Sequence, residues 1–326
     1  MNVVGPQSSA CEAFLKKLEW TVLRRLDGSL HGDWRSLWRG VGLDLADLRE
    51  YQSLDDVRHI DWNVTARTGI PHVRLFNEDR DLTAWFLVDC SASQYFGRQG
   101  RAKSEVAAEF VGLMSRLLTR QGNRVGAIFY STQVDHVLTP RTGRSQVLQL
   151  LRMMQQMPLA RPSPRDDSVD TRGTNMGAFL NTACSYIKRR SIVFVVSDFI
   201  SESGWEAPLG RLCLRHDVSA VRLFDPMEVS LPNLGVVWLQ DAESGEQLLV
   251  DTSDAGFCQR FEEVARQREQ ELRAVLARVG VDTLELNTDE PLVDAILRLV
   301  DLRRRRASAL TDRPVGSSVT KENPAP

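Results

Sequence analysis

Residues 83–93 run Thr-Ala-Trp-Phe-Leu-Val-Asp-Cys-Ser-Ala-Ser, an apolar stretch that ends on Asp89 and continues into two serines at alternate positions. Leu82, Trp85, Phe86, Leu87 and Val88 form a nearly continuous hydrophobic string, the pattern of a parallel strand covered on both faces. Open α/β sheets bind ligands just past the carboxyl ends of their strands, which places Asp89, Ser91 and Ser93 at the sheet's C-terminal rim. One carboxylate and two hydroxyls gathered by a tight loop are hard oxygen donors, suited to Mg²⁺ or Mn²⁺ rather than to zinc or copper.

By itself the Asp-x-Ser-x-Ser spacing is a weak signal, because Asp and Ser also punctuate ordinary strand-to-helix loops and helix N-caps. Two later segments strengthen it. Arg172-Gly173-Thr174-Asn175 is a glycine turn with a threonine opening a helix, and residues 191–198, SIVFVVSD, form a second apolar strand ending on Asp198. Three loops then offer matching donors. In these residues the chain resembles the von Willebrand factor type A domain, whose metal-ion-dependent adhesion site combines an Asp-x-Ser-x-Ser loop, a later threonine and a later aspartate. The resemblance implies that Asp89, Ser91, Ser93, Thr174 and Asp198 are the metal positions, the first three as primary donors and the last two acting directly or through water.

Bulk composition is consistent with such a protein. The 326 residues, 42% hydrophobic, suffice for one large or two modest domains with a real core. A formal charge of −2 supplies no bulk drive toward nucleic acid or membrane. Cys11, Cys90, Cys184, Cys213 and Cys258 are odd in number and widely spaced, as expected of reduced thiols in a cytoplasmic protein. No apolar stretch approaches the roughly 20 residues of a membrane helix, and no secretory leader is legible.

Along the chain, Leu15, Leu18, Val22 and Leu26 recur at helical spacing, so a helix is expected from Ser8 or Ser9 to about Asp27. An aromatic and glycine-rich segment follows, and then a dense mixture of Asp, Arg and aromatic residues up to the strand at 83. Solvated ion pairs in a small β-rich subdomain account for that density at little energetic gain. A fixed interaction surface made of Asp55, Asp56, Arg58, Asp61, Trp62 and Arg67 is the sharper reading. Within this set, a structural role is expected for Asp61 and Arg67 and a docking role for Arg58.

Helices are expected over 101–121, 143–157, 175–190, 204–215, about 255–279 and 290–306, alternating with strands at 123–131, 191–198, 217–225 and the segment VDTLELN. Val134–Leu138 reads as an antiparallel edge strand, and 231–251 as an inserted hairpin. Residues 158–172, rich in Pro and charge, form an exposed loop that delivers Thr174 to the rim. Four arginines at 303–306 complement a helix C-terminus, and residues 307–326 make a disordered tail.

Those segments extend the resemblance. A leading helix is followed by Arg49-Glu50-Tyr51, by Asp55-Asp56-Val57-Arg58-x-Ile60-Asp61-Trp62-Asn63, and by Thr65-Ala66-Arg67-x-Gly69-x-Pro71. The metal-site strand and Ser197-Asp198-Phe199 complete the series. This ordered set is similar to the bacterial family called domain of unknown function 58, over roughly residues 10–305. Two departures stand out: Leu54 where the family usually has glycine, and Gln94 where it usually has methionine. Neither is expected to touch a metal donor, so they bear on local turn geometry and surface detail.

The expected fold is α/β: a doubly wound, mostly parallel sheet of the von Willebrand factor type A kind over 81–306, preceded by a helix and β-rich subdomain over 1–80. The resemblance implies strand order 3-2-1-4-5-6 and a MoxR-type AAA+ ATPase as working partner. An ion held by one carboxylate and neutral hydroxyls stays under-neutralised and seeks another anion, which points to capture of a partner's Asp or Glu. A Mg²⁺-dependent phosphate-ester hydrolase is the alternative, and it needs a base that the sequence does not supply. A structural domain with a vestigial site is a third reading.

Overall fold

The computed structural model describes residues 6–18, 48–51, 62–74, 82–98, 101–131, 133–157, 175–241 and 246–311. The expectations for residues 19–27, for the loop at 158–172, for Thr174 and for Asp55, Asp56, Arg58 and Asp61 fall outside these residues, as does most of the expected tail.

Ahead of the main sheet lie helix α1 (Pro6–Leu18), strand β1 (Leu48–Glu50), helix α2 (Trp62–Thr68) and strand β2 (His72–Arg74). β1 and β2 pair antiparallel, Glu50 opposite His72. Within the stretch expected to be β-rich, residues 62–68 instead close a helical turn, and Trp62 is 71% exposed. Thr65, inside that turn, ties it to β2 by accepting the backbone N–H of His72 at 3.1 Å. Arg67 is also exposed.

β3 (Thr83–Asp89) buries six of its seven residues. From it the chain makes a small ribbon, β4 (Gly97–Arg98) against β5 (Arg101–Ala102), then helix α3 (Lys103–Arg120), β6 (Arg124–Tyr130), the antiparallel β7 (Val134–Arg141) and α4 (Arg144–Gln156). Next come α5 (Met176–Tyr186), β8 (Ile192–Ser197), α6 (Glu206–Arg215) and β9 (Asp217–Phe224). A hairpin of β10 (Val236–Gln240) and β11 (Gln247–Asp251) precedes α7 (Ala255–Val279), β12 (Asp282–Asn287) and α8 (Leu292–Thr311). α8 runs past Arg306, where it was expected to stop, because Ala307, Ala309 and Leu310 are strong helix formers.

The sheet order is β12-β9-β8-β3-β6-β7, parallel throughout except for β7 at one edge. Numbered within the sheet, that is the expected 3-2-1-4-5-6. The chain winds outward from β3 in one direction and then from β8 in the other, so the order reverses between these two neighbours.

Both faces of β3 are covered, which explains its unbroken hydrophobicity. Ala84, Phe86 and Val88 join the core beneath α3 and α8, while Trp85 and Leu87 join the core beneath α5, α6 and the end of α7. Phe86 stacks on Phe194 with ring centroids 5.1 Å apart, and Phe110 meets Phe194 edge-on at 5.8 Å. Cys11 and Leu15 of α1 pack on Val147 and Leu151 of α4.

The ribbon that carries the chain from the serine loop to α3 tolerates no side chain at Gly97. A Cβ there would sit 2.6 Å from the Arg101 carbonyl oxygen and 2.8 Å from the Ala102 Cα. Gly97→Ala is therefore expected to destabilise the protein by about 1–3 kcal/mol, read from the urea midpoint, as overpacking does elsewhere.

Candidate metal centre

Asp89 is the last residue of β3, and Asp198 follows the last residue of the adjacent β8. Both carboxylates are nearly enclosed, at 4% and 2% exposure. The backbone N–H of Ser91 donates to Asp89 Oδ1 at 2.9 Å, and Ser197 Oγ donates to Asp89 Oδ2 at 2.6 Å. A short 3₁₀ turn, Ala92–Tyr95, folds Ser93 back so that its Oγ lies 3.1 Å from Ser91 Oγ. The rim therefore gathers one carboxylate and two hydroxyls, and a cleft of about 920 Å³ has Asp89, Cys90, Gln94, Tyr95 and Arg101 in its wall.

Tyr130, at the end of β6, donates its hydroxyl to the Asn175 carbonyl at 3.0 Å, and Ser201 Oγ accepts from Met176 N at 3.0 Å. Asn175 caps α5 by accepting from Ala178 N at 2.8 Å. These bonds fix the start of α5, next to Thr174 in the chain, relative to the strand ends.

Past β8 the chain turns sharply. Phe199 has φ +59°, the one non-glycine residue with positive φ among the described residues. Such a conformation costs on the order of 1–2 kcal/mol. It is held by the Phe199 ring packing on Trp205 at 5.5 Å and by two bonds that the turn makes available. Phe199 N donates to Ser197 Oγ at 3.0 Å, and Ile200 N donates to Asp198 Oδ1 at 3.0 Å.

The partner of the other Asp198 oxygen was not anticipated from sequence. Lys103, with no exposed surface at all, donates from Nζ to Asp198 Oδ2 at 2.7 Å and to Glu228 Oε1 at 2.5 Å. Burial alone would lower its pKa; the Asp198 and Glu228 carboxylates outweigh that and hold it above the ordinary lysine value. As the first residue of α3 it also faces the positive end of the helix dipole, a mildly unfavourable placement that its two carboxylate partners offset.

Burial pushes the Asp89 carboxyl up to about 6, and the Asp198 carboxylate adds to the effect, against the bonds from Ser197 and Ser91. Ionised Asp89 is thus a poorly compensated buried charge, which a cation would relieve. Gln94, expected to bear only on turn geometry and surface detail, instead reaches a proposed metal donor. It is 1% exposed, and its Nε2 lies 3.4 Å from Asp89 Oδ2. Its Oε1 is enclosed without a hydrogen-bond partner, a situation that typically costs about 1–3 kcal/mol.

Of the expected site residues, the structure brings together Asp89, Ser91 and Ser93, with Asp198 on the adjoining strand end; Thr174 lies outside the described residues. Among the described residues no three His, Cys, Asp or Glu side chains cluster as a metal-binding group. The convergent oxygen donors are the Asp89 carboxylate and the Ser91 and Ser93 hydroxyls, a set that fits a hard cation and does not fit zinc or copper.

Strand order, an antiparallel edge strand and a serine-rich rim loop at the reversal point define a von Willebrand factor type A-like α/β protein. The chain belongs to the family described as "Protein of unknown function DUF58", whose model matches residues 47–271. An uncharacterised protein of Mycobacterium tuberculosis is 36% identical over 297 residues, 91% of each chain. An uncharacterised protein of Mycobacterium avium is 32% identical over 169 residues, 52% of this chain and 95% of that one. Among solved structures, the similar ones include BatB of Bacteroides thetaiotaomicron (14% identity, 69% of this chain and 99% of that chain, TM-score 0.42). The SpRpn10 VWA domain is also similar (12% identity, 67% and 95%, TM-score 0.34).

Two outcomes test the electrostatics. The raised folded-state pKa of Asp89 means that its protonation favours the fold: this contribution is complete below about pH 4 and is lost as pH rises through about 6. In EDTA at pH 7.5, Asp89→Asn is expected to gain on the order of 2 kcal/mol over wild type, with the gain vanishing near pH 4. Lys103→Met strands Asp198 as an unpaired buried charge, and its melting temperature is expected to fall by roughly 10 °C.

Proposed function

We propose that this protein is a non-catalytic, metal-dependent protein-binding module. In this reading Mg²⁺ or Mn²⁺ is held by Asp89, Ser91 and Ser93, with Thr174 and Asp198 contributing directly or through water. The observation that carries it is the convergence of two serine hydroxyls beside a buried, under-compensated carboxylate at the point where the strand order reverses. A cation there would be neutralised by one unit from Asp89, while the Asp198 charge is already shared with Lys103. Residual positive charge at the rim would recruit an acidic side chain from another protein.

Catalysis is not favoured. Ser91 and Ser93 bond to each other, and the base that Ser91 reaches, the Asp89 carboxylate, is in this reading committed to the cation. Family resemblance supports a MoxR-type AAA+ ATPase as the working partner, with a role as adaptor or co-chaperone in assembling or remodelling protein complexes in the cytoplasm. No helix among the described residues is long and apolar enough to cross a membrane.

The test uses purified full-length chain and the purified MoxR-type ATPase of the same organism. Binding measured by interferometry is expected in Mg²⁺, and is expected to vanish in EDTA and in Asp89→Ala. Mn²⁺ titration should show one site in wild type and none in Asp89→Ala. Binding that ignores both EDTA and the substitution would sink the metal-bridged reading. Phosphate-ester hydrolysis that required Asp89 would revive the hydrolase alternative.

A further inference from the structure

Gln94 is enclosed, although glutamine is mostly a surface residue. Its carboxamide faces Asp89 with the nitrogen end. At 3.4 Å, Nε2 is at the limit of a hydrogen bond to Asp89 Oδ2, while Oε1 is buried and meets no donor. The carboxamide is therefore half used, beside the donors Asp89, Ser91 and Ser93.

The orientation follows from charge. When the Asp89 carboxylate stands alone, the amide N–H end is attracted to it and the oxygen end is repelled. A cation on Asp89 Oδ2 reverses both preferences, because it repels N–H donors and attracts the amide oxygen. The two ends have nearly the same shape, so turning the terminal torsion over exchanges them within the same space. Carboxamide oxygens are hard, neutral ligands of the kind found at Mg²⁺ and Ca²⁺ sites.

We propose that Gln94 is a further oxygen donor of the cation site, whose carboxamide turns over to present Oε1 when the ion arrives. The inference rests on the metal reading above. It adds a ligand without adding charge, so the ion keeps its demand for an external anion. The spacing Asp-x-Ser-x-Ser-Gln then carries four oxygen-bearing side chains on one loop.

The test compares wild type, Gln94→Met and Gln94→Glu as full-length proteins, with Mn²⁺ as probe, using electron paramagnetic resonance titration and water-proton relaxation. Gln94→Met is expected to weaken Mn²⁺ by about 10-fold and to leave one more water on the bound ion. In EDTA the same variant is expected to melt higher than wild type, because the partnerless oxygen is gone. Gln94→Glu is expected to bind Mn²⁺ more tightly and to melt lower in EDTA, with an added carboxylate facing Asp89. A merely structural glutamine would give a lower melting point for Gln94→Met in EDTA. Mn²⁺ affinity within twofold of wild type and an unchanged water count in Gln94→Met would overturn this proposal alone. Wild type that takes up no Mn²⁺ would overturn the metal reading and this proposal together.

Discussion

A single buried ammonium group organises the C-terminal rim of the sheet. Lys103 Nζ joins Asp198, at the end of β8, to Glu228, in the turn after β9, and does so from the first residue of α3. Removing such a charge from water costs several kcal/mol, which only close, fully bonded carboxylates offset. The chain of polar contacts continues on both sides. Ser197, next to Asp198, bonds to Asp89 on β3. Glu228 closes a capping box with Asp225, whose Oδ2 accepts from Thr288 Oγ1 at 2.6 Å past the end of β12. The ends of β3, β8, β9 and β12 are thus tied in one line above the apolar layers.

This line divides the labour between the two aspartates. Both oxygens of Asp198 already have protein donors, Ile200 N on one and Lys103 Nζ on the other. Asp89 receives only neutral donors from Ser91, Ser197 and Gln94. Neutral donors stabilise an anion less than a cation does, so the unmet demand for positive charge is concentrated on Asp89. The strained turn at Phe199 belongs to the same arrangement, since it aims two backbone N–H groups back at Ser197 and Asp198.

Much of the fold was legible because buried parallel strands leave long apolar runs, and 83–89 and 191–198 both end on an aspartate. The strand order came with the resemblance, and the observed pairing agrees with it. Asp89, Ser91 and Ser93 were readable because spacing of two around one loop is a local property. Lys103, Glu228 and Ser197 were not, because each matters through a partner far away in sequence: Lys103 pairs with residues 95 and 125 positions on. Gln94 was read as a surface detail, since polarity alone does not reveal that a 3₁₀ turn will fold a side chain inward. Trp62 failed in the opposite sense. It lies in a stretch expected to be β-rich, whereas residues 62–68 close a helical turn and leave the indole in solvent.

The pairing of β3 with β8 also bears on how the protein comes into being. Asp89 and Ser197 meet across 108 positions of chain, and parallel pairing of distant strands is slow because loop closure precedes its reward. During synthesis β3 can first meet only β6 and β7, which follow it directly. The rim on the β8 side cannot form until that strand has emerged and docked. A half-made chain thus exposes Asp89 without Ser197, Asp198 or the turn at Phe199. The polar rim is therefore among the last parts of the sheet to be completed, since it needs strand ends that lie 108 positions apart in the chain.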